Sequence, residues 1–345
     1  MKYSNIIAID LAKNVFQVCK INHDNHVIYN RACSRAKLKE ILVKEKEALV
    51  AMESCGGTHY WARFSKQQGH DVKAIAARNV KPFRQGQKTD ANDALAIAIA
   101  ARQPHINSSR LLSVEDQCQQ SIVRVRELLI NQKVKTSNQI RALLLEFGVP
   151  IAKGDKALRK AIPEVLEDAE NSLTVGFRIV LDVMYQNFQA LLEKIELVSK
   201  QLGQEVKKDK LCRRLQSLEG VGPICAIQLK IALSQTGHYA KGREASACIG
   251  LTPVQHSSGG KQKLGSISKK SNHNTLRSSL YQGALAVVVN VDKREARTHK
   301  DIWLKALIAR RGKKVASIAL ANKTVRTAFA MIKNNQEYKP QLLAA

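Results

Sequence analysis

Apolar residues crowd into short runs at the start of the chain and step by threes and fours further on, a pattern that predicts strands first and helices later. Residues 4–20 read as a strand, with His23-Asp24-Asn25 as a polar turn and His26 to Asn30 opening a second strand, so the chain begins with a β-hairpin. Lys37 to Lys46 is an amphipathic helix, and Glu47 to Glu53 is a short apolar strand that ends in a carboxylate. Gly56-Gly57 breaks the pattern. Thr58 to Gln68 is then helical with Tyr60, Trp61 and Phe64 inward, and Asp71 to Ala76 gives a further strand. This alternation predicts a mixed α/β layer domain over residues 1–110.

From the end of that domain onward the period changes. Lys88 to Ala100 is strongly helical, with Thr89 or Asp90 as N-cap, and the i, i+3 spacing puts Asp90 and Asp93 on one face of the first turn. Glu115 to Phe147 is a long helix ended by Pro150 and Gly154. A second follows near residues 173–207, where Leu181, Met184, Phe188, Leu191, Ile195, Val198 and Leu202 form a heptad seam. Residues 111–210 therefore read as a coiled-coil spacer and dimerisation region; pairing within the chain and pairing with a second subunit are both open. Residues 211–345 form a mainly helical, loop-rich domain. Within it Leu218 to Pro223 resembles the hairpin of a helix-hairpin-helix unit, in which Gly220 and Gly222 let backbone amides approach a phosphate. A polar stretch from His256 to Asn272 precedes a helix from Thr275 to Val289; Trp303 to Lys333 is a basic helix, and Gln336 to Ala345 reads as a frayed tail.

Charge narrows the partners. Lys and Arg total 56 against 29 Asp and Glu, a formal net charge of +27, which calls for an anionic partner, nucleic acid first. The seven cysteines are odd in number and hold no C-x-x-C pair, so they read as reduced thiols in a cytoplasmic protein. No apolar run approaches the roughly 20 residues that span a bilayer, which sets a membrane partner aside.

Scarce acids make the placed ones informative. An unpaired carboxylate after an apolar strand is costly unless a cation or hydrogen bonds compensate it, and Asp10, Glu53, Asp90 and Asp93 stand at a strand, a strand end and a helix N-terminus. RNase H-like nucleases of the RuvC kind use acids on these elements in this order. Several carboxylates can hold two divalent cations about 3.5–4 Å apart for phosphodiester chemistry, and oxygen-only ligands favour Mg²⁺ or Mn²⁺. Taken alone, Asp90 and Asp93 also suit the helix dipole.

The chain resembles the DEDD-type transposases of bacterial insertion sequences, a group that includes Piv-type invertases and bridge-RNA-guided recombinases. The resemblance covers nearly the whole length. It is carried by Ala8 to Lys13, Met52 to Gly57, Val80 to Phe83, Lys88 to Ala94 and Asn138 to Arg141, then by Gly220 to Pro223, Gly250 to Pro253, Ser257 to Lys261, Leu276-Arg277 and Ala321 to Lys323. It implies that Asp10, Glu53, Asp90 and Asp93 are the metal-binding tetrad and that Ser258, or Ser257 beside it, is a nucleophile forming a 5′-phosphoserine link to DNA. It further implies that Lys261, Lys263, Lys269, Lys270 and Arg277 hold phosphates, that a guide RNA accompanies the DNA, and that the protein works as a homo-oligomer, dimer or tetramer. One departure is Ser271, which precedes Asn272 where the family commonly has glycine. Two other readings stay open on the residues: a RuvC-like metal-dependent nuclease or resolvase with no serine step, and a non-enzymatic basic coiled-coil protein. Read without the resemblance, Ser258 is a turn serine and the lysine run a solvated face.

Overall fold

The structure is a computed structural model that describes residues 5–267 and 273–343. It divides into two compact units, residues 1–116 and 117–345.

The first unit comprises β1 (Ile6–Asp10), β2 (Val15–Ile21), β3 (Val27–Ser34), α1 (Arg35–Lys44), β4 (Leu49–Glu53), α2 (Thr58–Gln67), β5 (Asp71–Ile75), the single turn α3 (Ala77–Val80) and α4 (Asp90–Arg102). The five strands form one sheet in the order β3-β2-β1-β4-β5; the first three run antiparallel, and β4 and β5 run parallel to β1. Because neighbouring strand residues face opposite ways, the apolar run of β1 feeds two cores. Ile7 and Ile9 pack with Phe16, Val50, Met52, Leu38 and Trp61, while Ile6 and Ala8 pack with Cys19, Ala51, Ala94, Ile97 and Ala98 of the α4 side. Each fully buried Ile or Phe contributes about 1.5–3 kcal/mol. Alanines on β1, β4 and α4 let the helix lie close on the sheet.

Two expectations change here. The stretch 4–20 is two strands, because the chain turns at Leu11–Asn14 as soon as Asp10 has left the core. Tyr60 is exposed, since α2 turns Trp61 rather than Tyr60 into the core, where it meets the Phe16 ring edge-on at 5.2 Å.

The second unit continues with the long α5 (Val114–Glu146), α6 (Asp155–Glu167), α7 (Val175–Lys208), α8 (Lys210–Leu215), α9 (Pro223–Leu233), α10 (Gly242–Ile249), the hairpin β6 (Pro253–Ser258) and β7 (Lys261–Ile267), then α11 (Asn274–Asp292) and α12 (His299–Lys333), which bends at Gly312. The long helices α5 and α7 pair antiparallel within the chain. Ile140 and Leu144 share a core with Leu181, Tyr185 and Phe188, and Arg126 Nε donates to Ser199 Oγ at 2.8 Å further along. The intervening α6, not foreseen from the sequence, adds Leu158 and Ile162 to that core. Leu181, Phe188, Leu191 and Leu202 of the seam are buried, whereas Ile179, Val180, Val183 and Leu197 of the same helix stay exposed.

The tail is not frayed through Leu343. Lys300 Nζ and the Tyr338 hydroxyl both donate to Glu219, at 2.6 and 3.1 Å, Arg214 donates to the Asn335 side chain and the Gln336 carbonyl, and Thr298 bridges Leu342. The turn between α8 and α9 is held by backbone contact. Gly220 has φ +79°, and a Cβ on Gly283 of α11 would stand 1.9 Å from the Gly220 carbonyl oxygen.

No side chain can yield at that contact. Gly283→Ala is expected to destabilise the second unit by about 3 kcal/mol or more. Gly203→Ala, in α7 with nothing near its Cβ, should instead stabilise by about 0.5–1 kcal/mol; urea unfolding of the two variants measures the contrast.

Candidate functional site

The acid cluster grows out of strand parity. Ile6, Ala8 and Asp10 share one face of β1, and Leu49, Ala51 and Glu53 share the matching face of β4, so both carboxylates leave the sheet on the side that α4 covers. The strands are parallel neighbours with Ile9 opposite Met52, so the two acids stand side by side at the same sheet edge. The N-terminus of α4, with Asp90 and Asp93 in its first turn, is capped by Thr89, whose Oγ1 accepts from the Asn92 amide at 3.3 Å. The four carboxylates feel one another. Burial, reinforced by Asp93, Asp90 and Glu53, pushes the Asp10 carboxyl up to about 6, and Lys88 opposes the rise. Glu53 is likewise raised by burial and by Asp93, with Lys88 again opposing.

Several side chains unnoticed in the sequence hold this edge together. Gln17 lies opposite Asp10 on β2; its Nε2 donates to Asn30 Oδ1 at 2.7 Å, and Asn30 Nδ2 donates to the Ala91 carbonyl at 2.8 Å. This relay ties the first turn of α4 to two strands. Arg84 Nη1 reaches Asp93 Oδ1 at 3.3 Å, and Asn92 Nδ2 donates to the Gln87 carbonyl at 2.8 Å, which fixes the loop that carries Lys88. After Glu53 the chain turns at Gly57, φ +92°, and Thr58 Oγ1 donates to the Glu53 carbonyl at 3.1 Å while accepting from the Cys55 amide at 2.9 Å. Such polar positions carry no periodic signal, so only the fold identifies them.

The donor set fits a hard divalent cation: four carboxylates, oxygen only, crowded enough to repel. Among the described residues no three acidic, histidine or cysteine side chains are already drawn together as one metal site. Arg84 and Lys88 are the cations set against the cluster.

In the second unit, Ser258 is the last residue of β6 before the two-residue turn Gly259-Gly260, both at positive φ, 54° and 76°. That turn type suits the twist of a hairpin. Ser258 pairs with Lys261, and His256 with Lys263, so Ser258, His256 and both lysines share one face. Ser257 pairs with Gln262 and lies on the other face, with Gln255 and Leu264. All of β6 is exposed. The hairpin was not anticipated in the polar stretch; Lys269, Lys270 and Ser271 lie outside the described residues.

Arg277 is half-buried on α11 and turned inward, donating to Asn274 Oδ1 at 3.0 Å and to the Gly250 carbonyl at 3.5 Å. Gly220 is committed to Gly283, as described above, and Gly222 is the N-cap of α9 in an extended conformation, φ −82°.

Comparison with known proteins finds matches for both parts of the chain. Residues 7–149 match a model for IS110-type DEDD transposases, and residues 212–300 match one described as "Transposase IS116/IS110/IS902 family". A probable family 20 transposase of Pseudomonas aeruginosa is 37% identical over 97% of this chain and 98% of its own. The transposase for insertion sequence element IS1111A of Coxiella burnetii is 35% identical over 98% and 92%, and the transposase for IS1328 of Yersinia enterocolitica is 33% identical over 94% and 96%. The chain belongs to the IS110 family of DEDD insertion-sequence transposases, enzymes that cut and rejoin DNA.

Proposed function

We propose that this transposase is a composite recombinase, in which the Asp10, Glu53, Asp90 and Asp93 cluster of an RNase H-like domain acts together with a serine nucleophile at Ser258. The observation that carries the first half is that Asp10 and Glu53 end neighbouring parallel strands, with Asp93 and Asp90 of α4 near enough to push the Asp10 carboxyl up. The observation that favours Ser258 over Ser257 is the face it shares with Lys261 and Lys263.

In this reading the four acids hold Mg²⁺ or Mn²⁺, which when bound supplies charge stabilisation to an oxygen attacking or leaving phosphorus. Lys261 and Lys263, beside the hydroxyl, seat the phosphate. Ser258 Oγ forms a bond to phosphorus as one P–O bond of the DNA strand breaks. The serine proton passes to a base and the departing 3′ oxygen takes one up, leaving a 5′-phosphoserine link and a free hydroxyl. That link conserves the phosphodiester, so rejoining is its reversal. A guide RNA as a second anionic partner agrees with the net charge of +27, and assembly into a homo-oligomer through the long helices agrees with the exposed Ile179, Val180, Val183 and Leu197 on α7. Lys269 and Lys270 belong to the same phosphate-holding group by their place in the sequence.

Among the described residues no helix is long and apolar enough to cross a membrane.

Two measurements test this. The first is thermal unfolding. A raised pKa means the folded protein holds the Asp10 proton more tightly, so metal-free stability falls as pH rises from about 4 through about 6. Asp10→Asn removes that loss and should be the more stable protein above pH 6 without metal, the difference vanishing near pH 4. Saturating Mg²⁺ or Mn²⁺ at pH 7.5 should raise the wild-type Tm on the order of 5 °C and leave Asp10→Asn unmoved. The second is a covalent-complex assay with Mg²⁺, labelled element-junction DNA and RNA from the flanking region, resolved under denaturing conditions. A protein–DNA adduct present in wild type and absent from both Ser258→Ala and Asp10→Ala is expected. Cleavage that survives Ser258→Ala with no adduct would establish the nuclease reading instead.

A further inference from the structure

Apart from the hairpin and the α8–α9 turn, the second unit has a cleft of about 880 Å³ between the N-terminus of α10 and the C-terminal half of α12. Its shape depends on a glycine: a Cβ at Gly242 would stand 3.3 Å from both the Cα and the carbonyl oxygen of Arg326. The walls carry Lys241, Arg243, Lys323, Arg326 and Lys333, all exposed. Among the described residues none of these five pairs with a carboxylate, whereas Lys133, Lys230 and Lys300 of the same unit each meet one at 2.5–2.6 Å. The acid nearest in sequence, Glu244, accepts from the Ala240 amide at 2.8 Å. Two of the cations are held in place without being neutralised: Lys323 lies over the Trp303 ring at 5.0 Å, and Lys333 donates to the Ala240 carbonyl at 3.2 Å.

Lys323, Arg326 and Lys333 fall on one face of α12, at i, i+3 and i+10, so the row of charge runs about 15 Å along the helix. That is the axial rise of roughly four nucleotides in one DNA strand. Past Lys323 and Thr327 a second hollow, of about 420 Å³, continues beside Trp303 to Lys339. The first turn of α10 has no side-chain cap and carries one acid, Glu244, whose amide donates to the Lys241 carbonyl at 3.0 Å.

We infer that this cleft binds the sugar-phosphate backbone of duplex DNA irrespective of base sequence, as a contact distinct from the serine hairpin. The linear row of uncompensated cations matches a phosphate chain, and DNA is the polyanion on which the family acts. The inference rests on that activity and not on the serine step.

The test is the salt dependence of binding by the full-length protein, without divalent metal, to a labelled duplex of arbitrary sequence. The double variant Arg326→Gln/Lys333→Gln should bind about tenfold more weakly at moderate salt, and its plot of log K against log salt should be shallower by about two, since each lost phosphate contact removes about 0.9. A Tm equal to wild type certifies the fold. The control Lys194→Gln/Lys200→Gln, exposed on α7, should leave the slope at the wild-type value. A wild-type slope in the cleft variant overturns the inference, as does an equal loss in the control, which would make the effect one of bulk charge. A slope change seen with RNA of the same length and not with DNA overturns the assignment to DNA. None of these outcomes depends on adduct formation, so the cleft and the serine chemistry stand or fall separately.

Discussion

Parallel pairing of β1 with β4 is the constraint on which the acid cluster depends. Two parallel neighbours end at the same edge, and with Ile9 set against Met52 the next residue on each strand is an acid. Strand parity sends both carboxylates toward α4, whose alanines allow the helix close enough to bring its own two acids to that edge. Backbone hydrogen bonds and buried apolar contacts thus hold like charges together against their repulsion.

The rest of the charge is distributed by the opposite logic. Of 29 acids, many are committed to cations within the fold: Glu45 to Lys20, Asp155 to Lys133, Asp209 to Lys230, Glu219 to Lys300 and Asp301 to Arg294. Asp209 also caps α8 through the Cys212 amide, and Asp301 completes a capping box with Thr298. With so many carboxylates engaged in holding helices to one another, the surplus of basic side chains is left facing solvent.

What the sequence made legible followed from periodicity and from scarcity. Alternation of strand and helix is plain where every element has an apolar face, and four placed acids stand out in a chain with so few. The parts that were not legible lacked such a face. The β6–β7 hairpin is exposed at every position but Ile267, so no apolar alternation marks it. Helix α6 is short and has Pro163 inside it, which masks a helix whose burial rests on Leu158 and Ile162. The tail is ordered by long-range partners, Glu219 and Arg214, more than a hundred residues away. Gln17 and Asn30 look like ordinary strand polars until the fold sets them beside Ala91. The direction of the α5–α7 pairing needed three dimensions, because a heptad seam is silent about whether its partner runs up or down.

The tight turn at Gly259-Gly260 has a consequence for how robust the hairpin is. Both glycines occupy left-handed conformations, and a two-residue connection of that kind sets the register of everything behind it. Slipping one strand by a single residue would turn every side chain of β6 to the opposite face. Most positions would then change character, but the doubled serine would not: Ser257 would take the place of Ser258 beside Lys261 and Lys263, so a hydroxyl faces the lysines in either register.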